Sequence, residues 1–463
     1  MSNEKLSKRN WFTICLFSFM GGVAWNVENM YFNTFLYNSV YANTSAAAQA
    51  GTMAPTTAIS RMVALSAIAA VVTTFIMGTL SDKLKNRKLF ISVGYIFWGI
   101  ITGMFGLITK ENVAGLFHLT DEVKILTGTV WVVIIMDIIM TFMGSTSNDA
   151  VFNAWVTDIT TPKIRPILET VLQVVVFSSA GAVMGVGSFA QAGKVSYQVF
   201  FIGLGIFVTL CGIAGLFLIK EPENRLPKEN DNSSYWSDLF YGFRPSAIKE
   251  NIRLYLTLFA IGFATVAYQV FFPYLLVYIQ YVVIPENGGE GFVTKGVIIT
   301  AVCVAAALVA GIVILMKLGA KNKAYCLVPC AVLMPLGLFL LSSSTNITLV
   351  LIGILPAALG FILMTIQLNA AIKDFIPEGK AGLFQGIRMI FVVLIPMVVG
   401  PVLGDMACRN SAVKYTNEYG VETLVPSSNM FLYAAIVAVF VFVPLIILIK
   451  KGFEVDTNET VNE

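Results

Sequence analysis

Long apolar stretches recur twelve times along the chain, divided by short polar connections. They run approximately over residues 11–37, 58–80, 88–109, 125–149, 167–190, 197–219, 253–281, 295–316, 324–342, 347–371, 383–407 and 429–450. A helix needs roughly 20 apolar residues to cross about 30 Å of hydrocarbon, and each stretch is of that order. The apolar positions are continuous rather than alternating, which excludes a β-barrel and predicts no strands. A helix satisfies its backbone amides within one segment, as the bilayer core demands. The pattern therefore predicts an all-α membrane protein with twelve transmembrane helices.

Basic residues set the orientation. The termini and even-numbered connections hold 22 Lys and Arg, the opposite side holds seven, and Arg388 falls inside the eleventh stretch. Cytoplasmic loops carry the excess of positive charge, so both termini are expected in the cytoplasm of a multi-pass protein of the cell membrane. The longest polar connection, 220–232, divides the spans six and six. The predicted organisation is an N-terminal six-helix bundle over 1–219, a cytoplasmic linker over 220–252 and a C-terminal six-helix bundle over 253–463. In the linker Tyr235, Trp236, Leu239, Phe240 and Phe243 recur at helical spacing, which suits a short helix on the inner membrane surface; a plain linker turn is the other reading.

Composition agrees. Hydrophobic residues make up 57% of the chain and charged ones 12%, about half the charge of a soluble protein. Disorder is excluded for the bulk of the chain. The net charge of +3 offers no basic stripe for nucleic acid. The single histidine, His118, and six cysteines without a CxxC pair make histidine catalysis and metal centres poor expectations. No resident cofactor is expected. A membrane enzyme would need a nucleophile–base or metal constellation, and the scattered acids offer none. The segment from Trp11 to Phe35 follows three basic residues, but it is too long for a cleaved leader and contains Glu28.

The connection after the second span reads Gly78-Thr-Leu-Ser-Asp82-Lys83-Leu-Lys85-Asn86-Arg87-Lys88. Glycine, three residues, an acid and a basic cluster resemble the helix 2–3 signature of the major facilitator superfamily. The matching place after the eighth span keeps Lys317, Lys321 and Lys323 without the acid. The connections after spans four and ten also echo one another. Asp158, Pro162 and Arg165 stand in the first; Asp374, Pro377 and Lys380 stand in the second. Such two-fold repeats mark transporters whose sites lie at the midplane. A finer similarity is to the glycoside–pentoside–hexuronide:cation symporter branch. It rests on the polar first span, the Asp82-to-Arg87 run, Phe152-Asn-Ala-Trp155-Val-Thr-Asp158 and Pro377-Glu-Gly-Lys-Ala-Gly-Leu-Phe-Gln-Gly386. That branch often carries two acids on its second helix; the aligned places here hold Ala70 and Thr74, which counts against cation coupling through that helix.

The superfamily resemblance implies two pseudo-symmetric six-helix bundles. It implies that Gly78, Asp82, Lys83 and Arg87 form a cytoplasmic latch, with Asp158 and Arg165 as a second one; positive-inside decoration is the alternative. Asp149, Asp374, Lys380 and Arg388 join the candidates for a cytoplasmic gate.

Polar residues inside the spans point to a site, because an ionisable group in hydrocarbon costs roughly 2.5–3.5 kcal/mol even on lenient scales. Asn26, Asn29 and Asn33 are spaced to share one face of the first helix, and Glu28 borders it. Glu28 is the leading candidate for proton coupling; a structural role against a neighbouring helix is the alternative. Asp137, alone in Val132-Val-Ile-Ile-Met-Asp-Ile-Ile-Met140, is the second. In the second half, Tyr268 and Gln269 precede Pro273, while Gln367 and Asn369 lie on the tenth span. Amides and aromatic faces suit a hydroxyl-rich solute. Gly181 and Gly185 form a GxxxG step expected to let two helices approach. Drug exporters of the superfamily pair Gly with Pro on helix five, and proline is absent between Leu168 and Gly205.

The expected function is secondary uptake of a small polar solute, a sugar or glycoside, coupled to H+ or Na+. The expected partners are that solute and the lipid bilayer, with a monomer as the working form. An efflux antiporter and a solute sensor of the same fold remain as alternatives. Solute identity, coupling ion, direction and oligomeric state are not set by the sequence.

Overall fold

The computed structural model describes residues 6–42, 44–84, 86–160, 164–221, 244–287, isolated positions between 302 and 311, 323–376, 387–411, 413–416 and 421–451. The chain divides into two compact units. One spans Met1–Asp231 with Asn417–Val421, and the other spans Asn232–Thr416 with Glu422–Glu463.

The first unit contains six long helices: α1 (8–40), α2 (Pro55–Leu84), α3 (Arg87–Leu107), α4 (Glu122–Ile159), α5 (Arg165–Gln191) and α6 (Tyr197–Leu218). Side-chain caps fix most of the starts. Ser7 accepts from the Asn10 amide, Asn86 from Leu89, Asp121 from Lys124 and Ser196 from Val199, satisfying donors that the first turn leaves unpaired. Glu221 adds a second cap to α3 by accepting from the Lys88 amide at 2.6 Å. After α5, Gly193 takes the left-handed conformation, φ +69°, that a helix-ending turn needs.

The second unit contributes α7 (Ile252–Glu286), α8 (Lys323–Ser343), α9 (Ile347–Phe375), α10 (Ile387–Ser411) and α11 (Asn429–Lys450). The predicted eighth span, 295–316, falls almost wholly outside the described residues, as does the predicted interfacial segment 235–243. With that span, the helices make the twelve expected, six to each unit. Prolines shape this half. Pro273 tightens α7 into a single 3-10 turn over Phe272–Tyr274. Pro444 cannot donate to the Phe440 carbonyl, and α11 breaks there into Asn429–Val439 and Phe442–Lys450. Two short strands depart from the prediction of none. β1 (Lys414–Thr416) pairs antiparallel with β2 (Glu422–Leu424), in a polar connection outside the spans, with Lys414 and Glu422 at 2.9 Å.

The surface of these units is that of a protein in lipid. Phe217 is 79% exposed, and Val199, Phe207 and Leu210 share its fate on α6; a soluble chain does not carry contiguous apolar faces of this kind. Among the described residues nine helices are long and apolar enough to cross a membrane. α4 is the longest, and its 38 residues extend about 57 Å, well beyond the hydrocarbon.

Close helix approach comes from glycines other than the expected pair. Gly181 and Gly185 are exposed, with nothing within 4 Å of where a Cβ would stand. They lie on the open face of α5, so the GxxxG step packs against nothing in its own unit. Gly187 is buried instead, against the ring of Tyr31. The tightest seam of the first unit joins α3 to α6 through Gly99, Gly103, Gly205 and Gly212. At the end of the bundle where α1 finishes, Glu122 at the start of α4 receives both the Ser45 amide (2.9 Å) and the Ser45 hydroxyl (2.6 Å).

Candidate functional site

The first unit brings together the two leading candidates. Glu28 and Asp137 are both buried, at 5% and 1% exposure. They come from different helices. Glu28 sits in a π-helical turn, Val27–Tyr31, set into α1. Such an inserted residue displaces the turn from the regular ladder and is often found at functional positions. Asp137 lies on the regular part of α4, whose next turns, Ser145–Phe152, are again π-helical.

Each acid has one hydroxyl donor. Thr141 Oγ1 donates to Glu28 Oε1 at 2.9 Å, and Ser66 of α2 donates to Asp137 Oδ2. The other oxygen of each carboxyl, Glu28 Oε2 and Asp137 Oδ1, is buried with no hydrogen-bond donor among the described residues. Asp149 joins them: Ser145 Oγ donates to its Oδ2 at 3.0 Å, and its charge, like that of Asp137, reaches Glu28. Asp149, a gate candidate about three turns beyond Asp137, has Ser145 as its donor and lies on the same face of α4.

The adjoining face of α4 packs on α3. Gly144 admits the Trp98 indole, which also meets Trp25 at 5.0 Å between ring centres. Asn148 donates to the Tyr95 hydroxyl at 2.5 Å, and that hydroxyl donates to the Phe17 carbonyl at 2.8 Å. α3 is thus the aromatic backing that holds α4 in place, while α1 and α2 face the acids.

The asparagine stripe is anchored to its own helix. The π-helical turn falls between Asn26 and Asn33, and each amide donates to a carbonyl of its own helix: Asn26 to Gly22 (2.7 Å), Asn29 to Trp25 (2.7 Å) and Asn33 to Asn29 (2.9 Å). Asn26 also approaches Ser179 of α5 at 3.5 Å. Asn33 Oδ1 stays buried with no donor among the described residues.

The second-half candidates form two groups. Tyr268 lies nearly parallel to both Phe272 (4.5 Å) and Phe361 (4.7 Å), so its ring faces are occupied by neighbouring rings. The Cβ of Gln269 stands where a side chain at Gly400 would go, which brings α7 close to α10. Asn369 and Arg388, expected in different roles, are joined: Arg388 Nη2 donates to Asn369 Oδ1 at 2.9 Å. Gln367 donates to the Leu363 carbonyl at 3.2 Å.

Of the latch residues, Gly78 lies within α2, Lys380 and the side chains of Asp82, Lys83 and Arg165 lie outside the described residues, and Asp374 is exposed at the end of α9. Asp158 pairs with Arg87; the expected partner, Arg165, has its side chain outside the described residues. Arg87 Nε stands 3.2 Å from Asp158 Oδ2 while its Nη1 donates to Ser81 at 2.6 Å. The fork joins the ends of α2, α3 and α4 inside one unit. Arg87→Ala is expected to cost about 1–3 kcal/mol, because it removes a charged partner from a partly buried carboxylate and a donor from a buried hydroxyl. Arg87→Lys recovers only part, since an ammonium lacks the rigid planar fork that spans the two acceptors. Thermal unfolding in detergent checks this; equal midpoints for both variants and the parent would count against it.

Sequence reasoning missed Ser66, Thr141 and Ser145, the donors to the acids. For two of them the signal was present: Asp137, Thr141, Ser145 and Asp149 are each four residues apart, one face of a helix. It also missed Asp405, 4% exposed on α10 and 2.9 Å from Arg409. A cleft lined by Ser7, Arg9, Asn10, Ile159, Lys220 and Glu221 lies at the end of the unit where α1 begins and α4 and α6 finish, away from the acids.

A family model described as the Major Facilitator Superfamily matches residues 14–401. No curated protein matches the chain. Solved structures share the fold at low identity. The inward-open xylose transporter XylE from E. coli is 15% identical, with 96% of this chain and 97% of that one covered and a TM-score of 0.61. A D-xylose-proton symporter is 14% identical, with 94% and 97% covered and a TM-score of 0.62. The nucleoside transporter NupG is 12% identical, with 95% and 98% covered and a TM-score of 0.60.

Proposed function

The chain belongs to the major facilitator superfamily, and from that premise we propose that it is a proton-coupled symporter of a small polar solute, a sugar or glycoside. It works by alternating access in the cell membrane with both termini in the cytoplasm. The observation that carries this reading is the pair Glu28 and Asp137, buried on facing helices with one hydroxyl donor and one unserved oxygen apiece. No described basic side chain is bonded to either acid. Desolvation penalises such groups as anions, so each needs a proton or a cation for part of a transport cycle. Hydroxyl donors on both acids are compatible with either protonation state, since a hydroxyl donates or accepts as required.

Two solved structures of the same fold are described as xylose transporters and one as a nucleoside transporter. That range agrees with a hydroxyl-rich solute. The similarity to the glycoside–pentoside–hexuronide branch points the same way, as do the amides of Asn33 and Asn369.

The test is a stabilisation screen of the purified protein. Pentoses, hexoses, glycosides, nucleosides, amino acids and carboxylates are compared at two pH values, with and without Na+. A sugar or glycoside that raises the unfolding temperature in a pH-dependent, Na+-independent way is the expected result. Stabilisation only by Na+ together with a solute would overturn the proton assignment. Stabilisation only by amino acids or carboxylates would overturn the solute class. Uptake direction in vesicles separates symport from efflux by antiport.

A further inference from the structure

Down one face of α4 stand Asp137, Thr141, Ser145 and Asp149, each four residues beyond the last. In a helix that spacing is a single column, with neighbours about 5–6 Å apart, and the whole column covers about 18 Å. The π-helical stretch Ser145–Phe152 keeps it aligned, because its wider turn brings residues four apart close to the same side. Two acids bracket two hydroxyls, and each acid of the group has a hydroxyl donor. Ser66 serves Asp137 at the top, Thr141 serves Glu28 beside the column, and Ser145 serves Asp149 at the bottom. Glu28 lies within electrostatic reach of both Asp137 and Asp149. Asp137 is 1% exposed, Thr141 1% and Ser145 0%. Two carboxyl oxygens in the column's upper part, Glu28 Oε2 and Asp137 Oδ1, are buried and take no hydrogen bond from any described residue.

Resting on the symport reading above, we infer that α4 carries a proton relay from Asp149 through Glu28 to Asp137, with the Ser145 and Thr141 hydroxyls as its connecting steps. A hydroxyl is both donor and acceptor. It takes a proton from a neutral carboxyl or a water on one side and releases its own on the other, so it ends neutral and nothing but the proton has moved. One bridging water closes a gap of one helical turn. The unserved oxygens of Glu28 and Asp137 are where the travelling proton is held. The other titratable side chain facing the column is Tyr95 of α3, whose hydroxyl donates to the Phe17 carbonyl and receives Asn148; it stands beside the path. Thr141 and Ser145 are positioning and relay residues and do not themselves hold charge.

The test follows carboxyl protonation directly, by time-resolved infrared spectroscopy of the purified protein after a rapid pH jump, so the proton is the only probe. The Glu28, Asp137 and Asp149 bands are assigned with Glu28→Gln, Asp137→Asn and Asp149→Asn. Ser145→Ala is expected to slow protonation of Glu28 about tenfold or more, leaving the equilibrium titration of Glu28 in place; Ser145→Thr restores the rate. Thr141→Val slows Asp137 in the same way. Unchanged rates in both Ser145→Ala and Thr141→Val, with Glu28 still titrating, would overturn the relay and leave the symport reading standing. A Glu28 that never changes protonation across the accessible pH range would overturn both.

Discussion

Glu28→Gln is expected to uncouple the transporter while leaving its solute pathway open. In proteoliposomes, accumulation driven by a pH gradient falls by on the order of 100-fold, the upper range of a coupling free energy. Counterflow of labelled solute against unlabelled solute continues. Glutamine has the size of glutamate, and its carbonyl still accepts from Thr141, 2.9 Å from the carboxyl oxygen it replaces. What it lacks is an exchangeable proton on a group that can also be an anion. The unserved Oε2 becomes an amide nitrogen with two donors, so the side chain is fixed in a state resembling the protonated acid. Asp137→Asn is expected to act in the same direction with a smaller loss, because Ser66 continues to serve the position. Undiminished pH-driven accumulation in both variants would remove these acids from the coupling mechanism.

The second large effect is one of packing. Gly205→Ala is expected to cost about 1–3 kcal/mol or more by overpacking and to lower the thermal midpoint by several degrees. An added Cβ would stand 2.5 Å from the Gly99 carbonyl oxygen and 2.6 Å from the Gly103 amide nitrogen. Both are backbone atoms of α3, so no side-chain rotation relieves the contact and the two helices must separate. The control is two residues away. Gly203, on the same helix, has nothing within 4 Å; Gly203→Ala is expected to be neutral or slightly stabilising through helix propensity. Thermal shifts of the two purified variants decide the matter, and a parallel response would show that the α3–α6 seam is not the limiting contact.

Those two glycines also show where sequence reading stops. The helices were legible because hydrocarbon imposes a length and a composition, and each described helix begins within a few residues of its predicted start. The buried acids were legible for the same reason: Asp137 has no polar neighbour in its own stretch, so it had to face protein. Which glycine packs is a different kind of fact. Gly181 and Gly185 fit the small-residue spacing yet face outward, whereas Gly187 and Gly205 do the packing. Spacing within one helix says which residues share a face, and does not say what that face meets. The asparagine stripe is read on a regular helix, and the π-helical turn at Val27–Tyr31 inserts a residue among its members, an irregularity that spacing does not announce. Asp158 has a partner that its neighbourhood in sequence does not announce: Arg87, 71 residues earlier, which α2 and α3 return to that end of α4.

The clasp between Ser45 and Glu122 ties the loop leaving α1 to the first turn of α4 by two hydrogen bonds. It fastens together the two helices that bear the carboxyls, at the end where α1 finishes and α4 begins. Sliding one along the other within this unit would have to break those bonds and the Thr141–Glu28 bond at once. Glu28 is thus held in register with its donor from two levels of the bundle.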